Sequence, residues 1–272
     1  MSRRFRIVVE YDGTDFSGWQ RQTVVDVDPQ RVPIPPRDGL GPAKPDLPRR
    51  DLRTVQGTLE DAIRDMTGET VFVRGAGRTD AGVHADGQVA SFDLAANIPT
   101  HGLLRGLNTI LPADLAIVDV AEAAPDFDAR FSARGKVYRY TVWSHFVRSP
   151  RRARTTWHVR TPIDVDAVRR AAASLVGEHD FRAFRASDCD RKTTNRIVRR
   201  LDVDRQGPLL TFEIEATAFL KNMVRIIVGT LVDIGRGRIS EDTPARMLAM
   251  GDRSAGGMTA PARGLTLLRV IY

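Results

Sequence analysis

The sequence predicts an α+β fold of two similar lobes with antiparallel sheets, helices on one face and a cleft between the lobes. Segments of alternating, β-branched residues recur along the 272 residues and are typical of strands. Amphipathic segments with helical spacing lie between them. Each half runs roughly strand–helix–strand–strand–helix–strand, although the second half starts at its helix. This order is typical of ferredoxin-like units, and we expect the functional cleft where two such units meet.

The elements of the first half follow from local patterns. "FRIVVEY" at 5–11 alternates and is β-branched, which predicts a strand. "TVQGTLEDAIRDMTG" at 54–68 predicts an amphipathic helix that Thr54 caps at its start and Gly68 ends. The other elements are strands at 70–74, 88–94, 114–123 and 135–144 and a helix at 101–111. We therefore expect residues 1–145 to form the N-terminal lobe.

The second half gives a comparable series. A helix is predicted to begin at residue 164 and end at Gly177, and "NRIVRRLDVDRQGPLLTFEIEATAF" at 195–219 predicts a hairpin that turns at 206–208. The remaining elements are helices at 219–235 and 242–250 and a strand at 264–272. We expect these residues, 146–272, to form the C-terminal lobe.

A Pro- and Arg-rich segment interrupts the first half. Seven of the 15 prolines fall between residues 23 and 50, among Arg, Asp and Gly. Such a composition disfavours a packed helix or central strand. We interpret residues 22–52 as a mobile surface insertion.

Composition restricts the function classes. Lys and Arg number 41 against 34 Asp and Glu, a net charge of +7, which favours a polyanionic partner such as nucleic acid. A solvated basic surface is the alternative. The single cysteine excludes an intrachain disulfide and a cysteine-based zinc site, and suits a reducing cytoplasm. No apolar run is long enough for a membrane span, and the N-terminus predicts a strand rather than a signal peptide.

The glycine-rich stretch "RGAGRTDAGVHADGQ" at 74–88 raises three possibilities. It lacks the Lys-Ser/Thr ending and the following helix of a phosphate-binding loop. Asp80, His84 and Asp86 have a spacing that matches no familiar metal site closely. A hairpin loop in which Asp80 only satisfies backbone donors is the third possibility. The spacing alone does not decide between this structural role of Asp80 and a functional one.

Two features elsewhere bear on Asp80. Arg225 lies in the apolar helix "FLKNMVRIIVGTLV", and a buried guanidinium requires an anionic partner. If Arg225 points into the cleft, Asp80 is the natural partner and Arg78 a second cation nearby; otherwise Arg225 is a surface residue on a buried helix. Tyr138 and Tyr140 share one strand face, where they either stack on an unpaired base or form a core pair.

Six segments together resemble the tRNA pseudouridine synthase A family. They are "YDGTDFSGWQRQ", "TVQGTLE", "AGRTDAGVHADGQV", "FDARFSARGKVYRY", "GEHDFRAFRA" and "FLKNMVRIIVGTL". They occur in the family's order and cover nearly the whole chain. The departure is the insertion, since the family pattern passes from "GWQRQ" to "TVQG" in a few residues.

The resemblance implies an isomerase that converts uridine to pseudouridine at positions 38, 39 and 40 of the tRNA anticodon arm. It implies that Asp80 is the nucleophile, that Arg78 contacts the RNA backbone and helps to flip the target nucleotide, that Tyr138 packs on the target base, and that Arg225 is the salt-bridge partner of Asp80. It further implies a homodimer that grips one tRNA and needs no metal or organic cofactor.

This chemistry agrees with the residues. The reaction breaks the N1–C1′ bond, turns the uracil and joins C5 to C1′, so it is redox-neutral. It requires a base outside the stack and an ionised carboxylate. Whether Asp80 attacks C1′ or C6 is left open by the sequence, as is the group that removes the C5 proton. Tyr138 is a poor base at the ordinary tyrosine pKa of about 10.

Overall fold

The computed structural model describes residues 2–25 and 49–272. Its α-helices are α1 Val55–Thr67, α2 Thr100–Ile110, α3 Val165–Ala173, α4 Met223–Gly235 and α5 Thr243–Met250. Its strands are β1 Arg3–Tyr11, β2 Thr23–Val25, β3 Arg49–Asp51, β4 Arg74–Gly75, β5 His84–Leu94, β6 Leu115–Glu122, β7 Gly135–Ser144, β8 Trp157–Val159, β9 Gly177–Asp180, β10 Asn195–Gln206, β11 Leu209–Ala216 and β12 Leu265–Ile271. The fold is α+β, as the sequence predicts.

Ten of these strands form one open sheet that runs through both halves of the chain. Its order is β6-β1-β5-β12-β7-β11-β10-β9, with β4 beside β5 and β8 beside β7. The strands expected in two antiparallel sheets therefore join in one sheet, and two of its ladders, β5–β12 and β7–β8, are parallel. β7 is hydrogen-bonded to β11 and β12, which both come from the second half. The division into two ferredoxin-like lobes stays a prediction.

One large core joins the sheet to the helices. Alternation along β1 directs Phe5, Ile7 and Val9 into this core, each fully buried. All five helices contribute to it. On the opposite face of the sheet, Val8 of β1 packs against a much smaller cluster that contains Val89. The sheet is therefore covered by its main core on one side only.

Helix α1 begins and ends where local chemistry predicts. Thr54 Oγ1 accepts a hydrogen bond of 3.2 Å from the backbone N–H of Gly57 at the start of α1, a cap that stabilises a helix by about 1 kcal/mol. Gly68 ends α1 in the left-handed conformation, at φ 76°. α4 is apolar nearly throughout because it is buried against α3 and β7. Among the described residues, no helix is long and apolar enough to cross a membrane.

Two expectations about elements need correction. The strand predicted at 70–74 is reduced to β4, because the N–H of Val73 bonds to Glu60 of α1 at 3.1 Å instead of to a neighbouring strand. The helix predicted to reach Gly177 ends at Ala173, because Gly177 begins β9 and pairs with β10. The insertion at 22–52 lies mostly outside the described residues; its ends, β2 and β3, pair as a small antiparallel sheet.

Candidate active site

Asp80 lies in the loop between β4 and β5, at the centre of the large sheet. The loop turns through a hydrogen bond of 3.2 Å from Val83 N to the Asp80 carbonyl. Gly82, inside this turn, has a φ of 78° that side chains other than glycine rarely adopt. Gly82 thus serves a tight turn that precedes β5, whereas Gly75 and Gly87 permit close approaches, to Trp19 and to the Leu268 carbonyl.

The segment "YDGTDFSGW" supports this loop from behind. The hydroxyls of Tyr11 and Thr79 are 2.8 Å apart, and Trp19 N donates to the Thr79 carbonyl at 3.0 Å. Gly18 permits a close approach, since a Cβ there would lie 2.8 Å from the Thr79 carbonyl oxygen. The residue beside Asp80 is therefore held by side-chain and backbone contacts.

Arg225 of α4 reaches across to Asp80. Its Nη1 donates to Asp80 Oδ2 at 3.0 Å, and its Nε donates to the Ala260 carbonyl at 2.8 Å. The Arg225 side chain is 18% exposed and that of Asp80 34% exposed. Of the alternatives that the sequence left open for Arg225, the structure has the ion pair with Asp80.

Asn222, just before α4, orients Arg225. Its Oδ1 accepts a second hydrogen bond from Arg225 Nη1 at 2.8 Å. Asn222 has φ 62° and is the only non-glycine residue with positive φ among those the structure describes. Asn tolerates this region better than most residues, and strained backbone occurs often at functional sites. The sequence by itself predicts no role for Asn222.

Tyr138 of β7 is buried close to Asp80. It pairs with Leu267 of β12, which in turn pairs with Ala85 of β5 just beyond the Asp80 loop. Its ring meets that of Phe219 edge-on, with centroids 5.0 Å apart. The pKa of Tyr138 is raised above its ordinary value, mainly because the phenol is buried. The nearby Tyr11 and the Asp80 carboxylate raise it further.

The second tyrosine of β7 has a different environment. Tyr140 is fully buried and donates to the Pro261 carbonyl at 2.7 Å. Tyr140 is therefore a core residue. Of the two tyrosines of β7, Tyr138 is the one beside the Asp80 loop.

Among the described residues, the other ionisable side chains of the loop form no hydrogen bond or ion pair with Asp80. Arg78 is exposed and forms no ion pair within residues 2–25 and 49–272. His84 Nδ1 accepts from Gly13 N at 3.1 Å, and its Nε2 lies 2.9 Å from the Arg154 carbonyl. The same Nδ1 lies 3.2 Å from Asp12 Oδ1. Asp86 is exposed on β5. His84 thus connects three segments of the structure.

The sequence predicts no role for two lysines that lie near the loop. Lys221 Nζ lies 2.5 Å from Asp188 Oδ2; this carboxylate, and at longer range Asp80, raise the pKa of Lys221. Lys136 of β7 extends to Gly77 of the loop. Burial, followed by the charges of Arg130 and Arg191, lowers the pKa of Lys136 to about 8.

Comparison with known proteins defines the class first. A family model described as "tRNA pseudouridine synthase" matches residues 47–132 and 171–272. These ranges include Asp80 with β4 and β5, and Arg225 with α4, whereas β7 lies outside them. The protein is thus of the pseudouridine synthase class, whose members are isomerases.

Full-length relatives narrow this class. Over 99% of this chain, a "tRNA pseudouridine synthase A" of Pelobacter propionicus is 43% identical and covered over 100% of its own length. Proteins of the same name from Geobacter sp. and Myxococcus xanthus are 42% and 44% identical and covered over 99% and 92% of their lengths. The chain belongs to the tRNA pseudouridine synthase A family, and the resemblance found in its motifs is confirmed.

Proposed function

We propose that the protein isomerises uridine to pseudouridine at positions 38, 39 and 40 in the anticodon stem-loop of tRNA, with Asp80 as nucleophile on a flipped-out base. The observation that carries this proposal is the Asp80 carboxylate, held 3.0 Å from the Arg225 guanidinium and beside the buried ring of Tyr138. Ionised carboxylate, fixed cation and aromatic surface are what the reaction requires of a protein.

The carboxylate has one oxygen available for chemistry. Asp80 Oδ2 accepts from Arg225, whereas Oδ1 accepts no hydrogen bond from the described residues. We assign the attack, on C1′ or C6 of the uridine, to Oδ1. Arg225 keeps the carboxylate in one orientation while the N1–C1′ bond breaks, the uracil turns and C5 joins C1′. The bond that Asp80 Oδ1 formed to the uridine then breaks and returns its electron pair to the carboxylate. C5 loses its proton, and N1, which is no longer bonded to C1′, takes up a proton from water. The product is therefore an isomer of uridine, formed without any redox change.

Tyr138 serves in this proposal as the surface on which the target base packs. Its raised pKa keeps the phenol protonated over the ordinary working range, so Tyr138 does not act as the base for the C5 proton. To Arg78 we assign a contact with the RNA backbone as the nucleotide leaves the stack. Its exposure two residues before Asp80 supports this role.

The wider expectations belong to the same proposal. We propose that the chain acts as a homodimer on one tRNA, in the cytoplasm, without metal or organic cofactor. We retain 1–145 and 146–272 as its two lobes, with Asp80 in the first and Arg225 in the second. The support is the Asp80–Arg225 contact, which joins residues 145 positions apart in the sequence.

Mapping pseudouridine in tRNA tests the proposed function. Unmodified transcripts with uridine at positions 38, 39 and 40 are incubated with enzyme, treated with carbodiimide and alkali, and read by reverse transcription. We expect stops at these positions and none in transcripts with cytidine there. Activity should persist in excess chelator. Reverse-transcription stops at other positions alone would refute the assignment to positions 38, 39 and 40. Binding of tRNA without any stop would indicate an RNA-binding protein instead of an enzyme.

A further inference from the structure

A group of cations adjoins the Asp80 loop. Lys136 of β7 extends to the loop, since a Cβ on Gly77 would lie 3.0 Å from its Cε and 3.5 Å from its Nζ. Arg130, before β7, and Arg191, before β10, are close enough to act electrostatically on Lys136, and Arg191 acts likewise on Arg196. We call Arg130, Lys136, Arg191 and Arg196 the cation cluster.

The members of the cation cluster lack anionic partners among residues 2–25 and 49–272. None of the four forms an ion pair with a carboxylate within the described part of the chain, whereas Arg139 and Arg200 on the same sheet both pair with Glu213. Arg196 Nε is buried and has no acceptor among the described residues.

Folding brings these like charges together at a cost. Burial first, then the neighbouring cations, lower the pKa values of both Lys136 and Arg196. An unpaired, partly buried cation disfavours the folded state unless an anion approaches. Within the part of the chain that the structure describes, the cation cluster is therefore a group of like charges without counter-ions.

We propose that the cation cluster binds the phosphodiester groups of the RNA strand next to the target uridine, an inference that rests on the proposed function. Flipping turns a nucleotide about its own backbone, so the flanking phosphates stay close to the loop that carries the nucleophile. Lys136 contacts this loop at Gly77, three residues before Asp80. An ammonium and three guanidinium groups match phosphate oxygens in charge and hydrogen bonding.

Salt-dependent RNA binding tests this assignment in the full-length protein. The probe is a synthetic RNA hairpin with the sequence of a tRNA anticodon arm, and the variants are Lys136→Met and Arg191→Gln. We expect each to bind about tenfold more weakly at low salt, and the slope of log K against log salt to decrease by about 0.7–0.9. Arg105→Gln, an exposed arginine on α2, removes the same charge away from the loop and should bind as wild type.

Stability separates the proposed role from a structural one. Lys136→Met removes a buried charge but retains an unbranched side chain, so its melting temperature should equal or exceed that of wild type. Lys136→Arg, which keeps the charge, should restore most of the affinity. Wild-type affinity and salt slope in both Lys136→Met and Arg191→Gln would overturn the proposal, as would weaker binding without a change in slope. A failure of the proposed function can be distinguished from a failure of this inference, because the wild-type protein would then form no pseudouridine.

Discussion

The Arg225–Asp80 contact gives the strongest test of how the site is built. We consider Arg225→Met, which keeps the aliphatic stem but removes the guanidinium. Removal of one partner costs about 3–5 kcal/mol in a buried ion pair and about 0–1 kcal/mol at the surface. With exposures of 18% and 34% for the two side chains, an intermediate loss of about 2 kcal/mol follows. At about 2–4 °C per kcal/mol, the melting temperature should fall by about 4–8 °C.

The same substitution should reduce turnover. Without Arg225, Asp80 loses the hydrogen bond that fixes Oδ2, and a displacement of about 1 Å at a reacting group lowers a rate by about a hundredfold. RNA affinity should change little, because Arg225 is bound to Asp80, Asn222 and the Ala260 carbonyl. Calorimetry, single-turnover kinetics and RNA binding measure the three effects.

A double-mutant cycle with Asp80→Asn isolates the pair. We expect a coupling free energy of about 1–3 kcal/mol in stability. The matched control is Arg205→Met, since Arg205 also donates to backbone carbonyls, those of Ile163 and Gly207, and should leave turnover unchanged. Wild-type turnover and melting temperature in Arg225→Met, or zero coupling, would refute the reasoning.

Two further predictions concern Tyr138 and Lys136. Tyr138→Phe should keep the single-turnover rate within about tenfold of wild type. Tyr138→Leu should lower this rate by about 10–100-fold, because stacking is worth about 1–3 kcal/mol per base. Equal losses of rate in the two variants would indicate that the hydroxyl acts in catalysis. For Lys136, whose pKa falls from 10.5 to about 8, the unfolded chain holds a proton that the native protein has released between these pH values. The free energy of unfolding should therefore rise with pH from about 8 to about 10.5, by at most about 3 kcal/mol. Urea unfolding of wild type beside Lys136→Met measures this, and parallel pH profiles would contradict it.

Local chemistry in the sequence predicts much of the fold. The caps of α1, the strand β7 and the turn of the β10–β11 hairpin each depend on residues close together in the chain. What the sequence did not predict depends on distant partners. β9 forms because β10 offers it a ladder, and β5 joins β12 in parallel at Thr266 and Leu267. Such pairings are decided by the assembled sheet and outweigh local propensity.

The candidate site shows the same division. Because Arg225 lies in an apolar helix, the sequence predicted that its guanidinium would need an anionic partner. In the structure that partner is Asp80, whose Oδ2 lies 3.0 Å from Arg225 Nη1. The left-handed conformation of Asn222 and the position of Lys136 beside the Asp80 loop could not be predicted in this way. Backbone conformation at one residue and the burial of a lysine both result from packing between segments far apart in the chain.

The most direct test of the central claim is release of tritium from tRNA labelled at C5 of uridine. Joining C5 to C1′ displaces the C5 hydrogen, so release reports the isomerisation itself. We predict that the wild-type protein releases tritium from the anticodon arm and that Asp80→Asn, folded and still able to bind tRNA, releases none. No release by wild type, or release by Asp80→Asn at the wild-type rate, would contradict the account.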